Sequence, residues 1–139
     1  MSCEALICRE ILKDDFGLYP ATIADLLLLK GRLTLTDLIR FSRYTPKLVR
    51  ECLIVLIQHG IVFFSETTDI SKTDATYYEA EPENIMMRLR MGRIMRITEE
   101  HYGKPGSAIC RLLFLEGRVK LNQVLQWASV NDDKQKDGK

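Results

Sequence analysis

The fourteen residues from Pro46 to His59, bracketed by Thr45 and Gly60, constrain this chain more than any other segment. Thr45 is a preferred N-cap, Pro46 follows it where a helix needs no N–H, and Gly60 supplies the left-handed residue that ends a helix. The spacing predicts a helix over Pro46–His59. Val49, Cys52, Leu53 and Leu56 fall on one face, with Lys47, Arg50, Glu51, Ile54 and Gln58 opposite.

The flanking segments supply a context for that helix. Leu6, Ile7, Ile11 and Leu12 follow a 3.6-residue period over Glu4–Leu12, and Gly17 with Pro20 is expected to end that first helix. A second runs from Ala21 to Leu29 and stops at Lys30-Gly31. Arg32 to Leu35 alternates as a short strand, and Thr34 with Asp37 forms a capping box for a short helix carrying Leu38, Ile39 and Phe41. After Gly60, Ile61 to Phe64 and Ala75 to Glu79 read as strands joined through polar turn residues from Thr67 to Asp74. Helices, a short strand, two more helices and then a hairpin is the order of a winged helix-turn-helix, the hairpin being the wing. Asn84 to Thr98 reads as one further helix, with Met87, Met91, Ile94 and Met95 on its apolar face and Arg88, Arg90, Arg93 and Arg96 on the other.

An internal repeat extends the pattern. Displacing the chain by 86 residues aligns 21–42 with 107–128 at seven identities in 22 positions, and sets Phe16-Gly17 against Tyr102-Gly103. Phe41 then matches Trp127, and Leu38-Ile39 matches Val124-Leu125. The expected organisation is mainly α with a small hairpin wing: a first winged helix at 1–83, a basic linking helix at 84–100, a partial second winged helix at 101–130, and a disordered polar tail at 131–139. The second unit has opening helices and, on this reading, neither recognition helix nor wing. Its apolar residues Ile109, Leu112, Leu113, Leu121, Val124 and Trp127 are expected to need cover from the first domain or from a partner.

Charge is where the composition becomes informative. The formal net charge is only +1, which excludes a uniformly basic nucleic-acid coat, but it is a cancellation of blocks. Residues 31–64 carry +3, 65–84 carry −5 and 85–120 carry +5. The longest apolar run, Cys52 to Ile57, is far short of the roughly 20 residues a membrane span requires, and the start lacks a basic signal region. The chain is accordingly read as intracellular, with its four cysteines reduced.

Catalytic signatures are missing. His59 and His101 have no cysteine at metal-ligand spacing, and neither a phosphate-binding glycine loop nor a nucleophile elbow occurs. The expectation is therefore a non-enzyme with no cofactor, no metal and no small-molecule substrate. Cys8 and Cys52 read as small core residues, His59 as a capping cation at a helix end, and Asp14-Asp15 as carboxylates pointing in different directions. The candidate binding residues are cationic: Arg43, Tyr44, Lys47 and Arg50 around the start of the bracketed helix, and Arg88, Arg90, Arg93 and Arg96 further on. The first set is placed to meet phosphates, yet Ile54 and Glu51 on the same face suit a protein partner equally. The second set is either a solvated face or a strip for nucleic acid or an acidic protein. With no acid between Asn84 and Thr98 to neutralise it, the strip is the favoured reading.

Three stretches together resemble a known family: Val49 to Val62 with its Leu56-Ile57-Gln58-His59-Gly60 string, Tyr78-Glu79-Ala80, and Met87 to Arg93, with Phe16-Gly17 and Gly31 at matching intervals. They resemble the N-terminal helix-turn-helix region of the RNA polymerase III-specific subunit related to the large subunit of transcription factor IIE, over about residues 5–128. The resemblance implies a non-catalytic nuclear subunit built from several winged helices and a coiled coil, part of a three-subunit subcomplex on the polymerase clamp. Its implied partners are other RNA polymerase III subunits, transcription factor IIIB, and single- or double-stranded promoter DNA. The sequence departs from the family pattern by ending within the second winged helix. The alternative is a free-standing winged-helix DNA-binding regulator, although no dimerisation helix of the kind such regulators use is visible.

Overall fold

A computed structural model describes residues 2–67 and 75–136, with side chains of the last helix described as far as Asn131. Two compact units divide between Met91 and Gly92.

In the first unit, α1 (Cys3–Phe16) begins at Ser2, whose side chain accepts the Ala5 N–H at 3.2 Å. It ends at Gly17, the stop expected from the sequence, and its last residue, Phe16, packs against the core. Gly17, at φ +91°, makes the sharp joint to α2 (Leu18–Lys30). Pro20 therefore does not end a segment; it lies in the first turn of α2, where its missing N–H has no helical partner to lose. After β1 (Leu33–Thr34), α3 (Leu35–Ser42) is capped as expected. The Thr34 hydroxyl oxygen accepts the Asp37 N–H at 3.3 Å and donates its own proton to the Asp37 carboxylate at 3.0 Å. Helix α4 (Pro46–Gln58) starts from Thr45, whose hydroxyl oxygen accepts the Leu48 N–H at 3.3 Å.

The hairpin is β2 (Val62–Thr67) and β3 (Ala75–Ala80), and β1 joins its far side to give an antiparallel sheet in the order β1-β3-β2. Val62 faces Ala80, Phe64 faces Tyr78, and Tyr78 faces Leu33. The turn expected at Thr67 to Asp74 lies, beyond Thr67, outside the described residues. Helix α1 packs on α2 and α5 (Pro82–Met87), while α2 packs on α4 and β3. Leu12, Ile23, Leu38, Leu56, Ile61 and Ile85 are fully buried at the centre. Each such aliphatic side chain contributes about 1.5–3 kcal/mol relative to exposure, so this core accounts for the unit's cohesion. The architecture is the winged helix-turn-helix read from the sequence.

The linking helix expected at 84–100 is divided. Ile85 is buried in the first unit, the Asn84 side-chain amide donates to the Gly60 carbonyl at 2.9 Å, and a 3-10 turn at Arg88–Arg90 separates α5 from α6 (Met91–Glu116). The first unit therefore ends at Met91 and not at residue 83.

The second unit reproduces the repeat in backbone form. Helix α6 breaks at Gly103, at φ +74° and ψ −172°, close to the +91° and −179° of Gly17. Gly117 has φ +77° where Gly31 has +83°. Helix α7 (Leu121–Lys136) begins 86 residues after Leu35, and the Lys120 N–H is accepted by Gln123 Oε1 at 2.9 Å, the positions equivalent to Thr34 and Asp37. Burial is where the copies differ. Ile23 and Leu27 are 0% and 2% exposed, whereas their equivalents Ile109 and Leu113 are 39% and 44% exposed. In the first unit α4 and the sheet cover that face of α2; in the second, no equivalent of either follows α7 among the described residues. The tail expected to be disordered at 131–139 is helical as far as Lys136, because Asn131 to Lys136 contains no Gly or Pro and extends a helix already nucleated. Residues 137–139 lie outside the described residues.

Candidate nucleic-acid and protein interface

The α3–α4 corner gathers four of the expected residues. Arg43 ends α3 in the left-handed conformation at φ +60°, the only described non-glycine residue to do so, which turns the chain sharply toward α4. Tyr44 follows, its ring edge-on to Tyr19 with centroids 5.3 Å apart, so it is held as part of the wall and is half-buried. Lys47 and Arg50 project from the first two turns of α4 into solvent. Pro46 brings no N–H and the Leu48 amide is taken by Thr45, so side-chain charge, more than helix-end amides, is what this corner offers a phosphate.

Two features temper its basicity. Lys47 Nζ lies 3.9 Å from Glu51, an exposed pair worth little in stability but enough to dilute the local field. Ile54, one turn further on, is 66% exposed in the middle of the same face. The buried side of α4 consists of Val49, Cys52, Leu53 and Leu56, the set its wheel predicts.

The arginines from Arg88 to Arg96 are divided between the two units, and Arg88 differs from the others in its surroundings. Arg88 belongs to the first unit's fabric: its Nε donates to Asp15 at 2.6 Å, its guanidinium lies 4.7 Å from the Phe16 ring centroid, and its side chain is only 11% exposed. Arg90 is exposed on the same unit. Arg93 and Arg96 are exposed in the second unit, where Arg96 pairs with Glu100 at 3.5 Å. Opposite charge 73 residues away in sequence is what removes Arg88 from the candidate set, and no local pattern reveals it.

Three cations escaped the sequence reading because each is fixed by an aromatic ring. Arg32 donates from Nη2 to Ser65 Oγ at 2.7 Å and lies 5.1 Å from the Tyr77 centroid, so it sits on the solvent face of the wing. Lys30 and Arg40 both approach Phe41, at 4.3 and 4.8 Å from its centroid. The neighbouring Lys30-Gly31-Arg32 was the available signal.

The two buried thiols, Cys8 and Cys52, make poor nucleophiles. Burial, reinforced by the Glu4 charge, pushes the Cys8 thiol up, and its S–H is placed to donate to the Pro82 carbonyl at 3.9 Å. Burial and the Glu51 charge do the same to Cys52. A raised pKa leaves less thiolate at neutral pH. His59 occupies the C-cap of α4 with its ring 4.8 Å from Phe16. Among the described residues no three His, Cys, Asp or Glu side chains are placed to hold a metal ion, and no helix is long and apolar enough to cross a membrane.

Comparison with known sequences agrees with this geometry. Residues 6–67, which span α1 to β2, match the family described as the RNA polymerase III subunit RPC82 helix-turn-helix domain. The chain is 30% identical over 118 residues to DNA-directed RNA polymerase III subunit RPC-3 of Coccidioides immitis, covering 85% of this chain and 18% of that protein. It is 26% identical over 132 residues to subunit rpc3 of Botryotinia fuckeliana, covering 95% and 19% respectively. Against subunit RPC3 of Rattus norvegicus it is 26% identical over 123 residues, covering 88% and 22%. The chain thus spans about a fifth of the length of these curated relatives.

Proposed function

We propose, on the premise that residues 6–67 are an RNA polymerase III subunit RPC82 helix-turn-helix domain, that this chain acts as a non-catalytic winged-helix part of DNA-directed RNA polymerase III. It serves in the nucleus, in assembly with other polymerase subunits and in contacts with promoter DNA and transcription factor IIIB. The similarity to named polymerase III subunits along most of the chain carries the reading and favours it over a free-standing regulator.

The α4 face gives the reading its physical content. Lys47 and Arg50 beside Arg43 can meet phosphates, while exposed Ile54 and the Glu51 charge make a poor face for a major groove and a good one for protein. Such a face suits a module held near DNA by its protein contacts, with electrostatics adding a sequence-independent attraction. The second unit, on this reading, is a partial winged helix whose exposed Ile109 and Leu113 are covered within the assembly.

A salt titration on duplex and single-stranded DNA tests it, together with affinity purification against polymerase III subunits. The expected outcome is co-purification that survives Lys47→Ala/Arg50→Ala, and weak DNA binding whose log–log salt slope falls by about 2 in that variant. Tight sequence-selective binding abolished by the same changes, without co-purifying polymerase, points instead to a regulator.

A further inference from the structure

The first unit carries an open groove of about 430 Å³ that neither the α4 face nor the arginines use. Its floor is apolar, formed by Leu6, Ile7 and Ile11 of α1 and by Leu89 of the turn after α5. Leu6, Ile7 and Leu89 are all exposed, a clustering that a solvated helix face does not need. Its rim is acidic. Glu10 and Asp14 stand one turn apart on the groove side of α1, exposed, and neither has an ion-pair partner among the described residues. The basic residues of α1, Arg9 and Lys13, do not line it. Arg88 does line it, but its charge is already met by Asp15, and the pair holds the turn bearing Leu89 against the end of α1.

We propose that this groove docks a basic amphipathic helix of a partner protein. The aliphatic side chains of that helix seat between α1 and Leu89, and its Lys or Arg side chains pair with Glu10 and Asp14. Ile7, Glu10, Ile11 and Asp14 follow i, i+3, i+4, i+7 spacing, which forms a ridge two turns long of the kind a second helix packs along. The unmatched carboxylates select the charge of the occupant. They repel phosphate, so nucleic acid and anionic lipid are disfavoured at the surface that an apolar floor alone would leave open. This surface is independent of the DNA-facing corner, and its test neither uses nor depends on polymerase association.

The full chain, isotope-labelled, is titrated with two synthetic helical peptides that share one leucine face, the first flanked by lysines and the second by glutamates. The expected result is that only the lysine peptide binds, with NMR shifts on α1 and residues 88–90. Combined Glu10→Lys and Asp14→Lys weakens it by about tenfold and admits the glutamate peptide, while Ile7→Asp removes both. Circular dichroism melting of these surface variants checks that the fold is retained. Equal binding of both peptides by the unaltered chain overturns the proposal, as does mapping of the lysine peptide to the acidic hairpin. Concentration-dependent self-association abolished by Ile7→Asp also overturns it, by identifying the occupant as a second copy of this chain.

Discussion

Replacing Arg88 separates a structural arginine from a binding one. Its Nε–Oδ2 distance to Asp15 is 2.6 Å, with the two side chains 11% and 31% exposed. A charged hydrogen bond contributes about 1.5–3 kcal/mol when shielded, and an exposed ion pair about 0.2–1 kcal/mol. Because Asp15 is about a third exposed, solvent screening brings the expected coupling to about 1–2 kcal/mol. Stacking on Phe16 adds about 0.5–1 kcal/mol, so Arg88→Ala is expected to cost about 2 kcal/mol. In a unit of about 90 residues that lowers Tm by about 10 °C. Arg90→Ala, on an exposed side chain, is expected to stay within about 0.5 kcal/mol. The measurement is a double-mutant cycle of Asp15→Asn and Arg88→Met in urea. It is followed by tyrosine near-ultraviolet dichroism or by hydrogen exchange of α1, because the one tryptophan, Trp127, reports the second unit. A coupling below about 0.3 kcal/mol, or equal costs for Arg88→Ala and Arg90→Ala, refutes the assignment and returns Arg88 to the basic surface.

The repeat permits a matched comparison: Leu27→Ala is expected to cost about 2–5 kcal/mol, and Leu113→Ala less than about 1 kcal/mol, by thermal or denaturant unfolding of each unit. Equal costs would show that the second unit has a hidden core. Thiol labelling at pH 7.5 is expected to modify exposed Cys3 rapidly and to spare Cys8 and Cys52, whose raised pKa values reduce thiolate as well as access. Mass spectrometry reads the sites, and labelling at Cys52 as fast as at Cys3 contradicts the burial. Thr45→Ala, by removing the cap on the Leu48 amide, is expected to destabilise the first unit by about 1 kcal/mol in urea melts, with Thr45→Asp restoring most of it.

What could be read without tertiary information was whatever a local rule dictates. Thr45-Pro46 and Gly60 set the limits of α4 to within a residue, and Thr34 with Asp37 set the start of α3, since caps act over three or four residues of chain. The buried face of α4 followed from helical period alone. The 86-residue repeat read from the sequence reappears in the structure as two glycine joints and the start of α7, because a positive-φ glycine and a helix start are backbone features that survive side-chain change. Pro20 was misread for an equally local reason: a proline ends one helix or opens the next, and only the position of Gly17 in space decides which.

Long-range contact decided the rest. Arg88 looks like its neighbours Arg90 and Arg93 until the fold brings Asp15 and Phe16 beside it, and Ile85 looks like part of a linker until it closes the first core. Arg32, Lys30 and Arg40 became surface features only when the sheet and α3 placed Tyr77 and Phe41 beneath them. The apolar floor along α1 needed Leu89 as its second wall. The sequence by itself determined a winged helix and its repeat, because caps, periodicity and spacing are properties of neighbouring residues. Tertiary structure alone decided which charges are left free and which apolar faces are left uncovered, because neutralisation and burial depend on residues far apart in the chain.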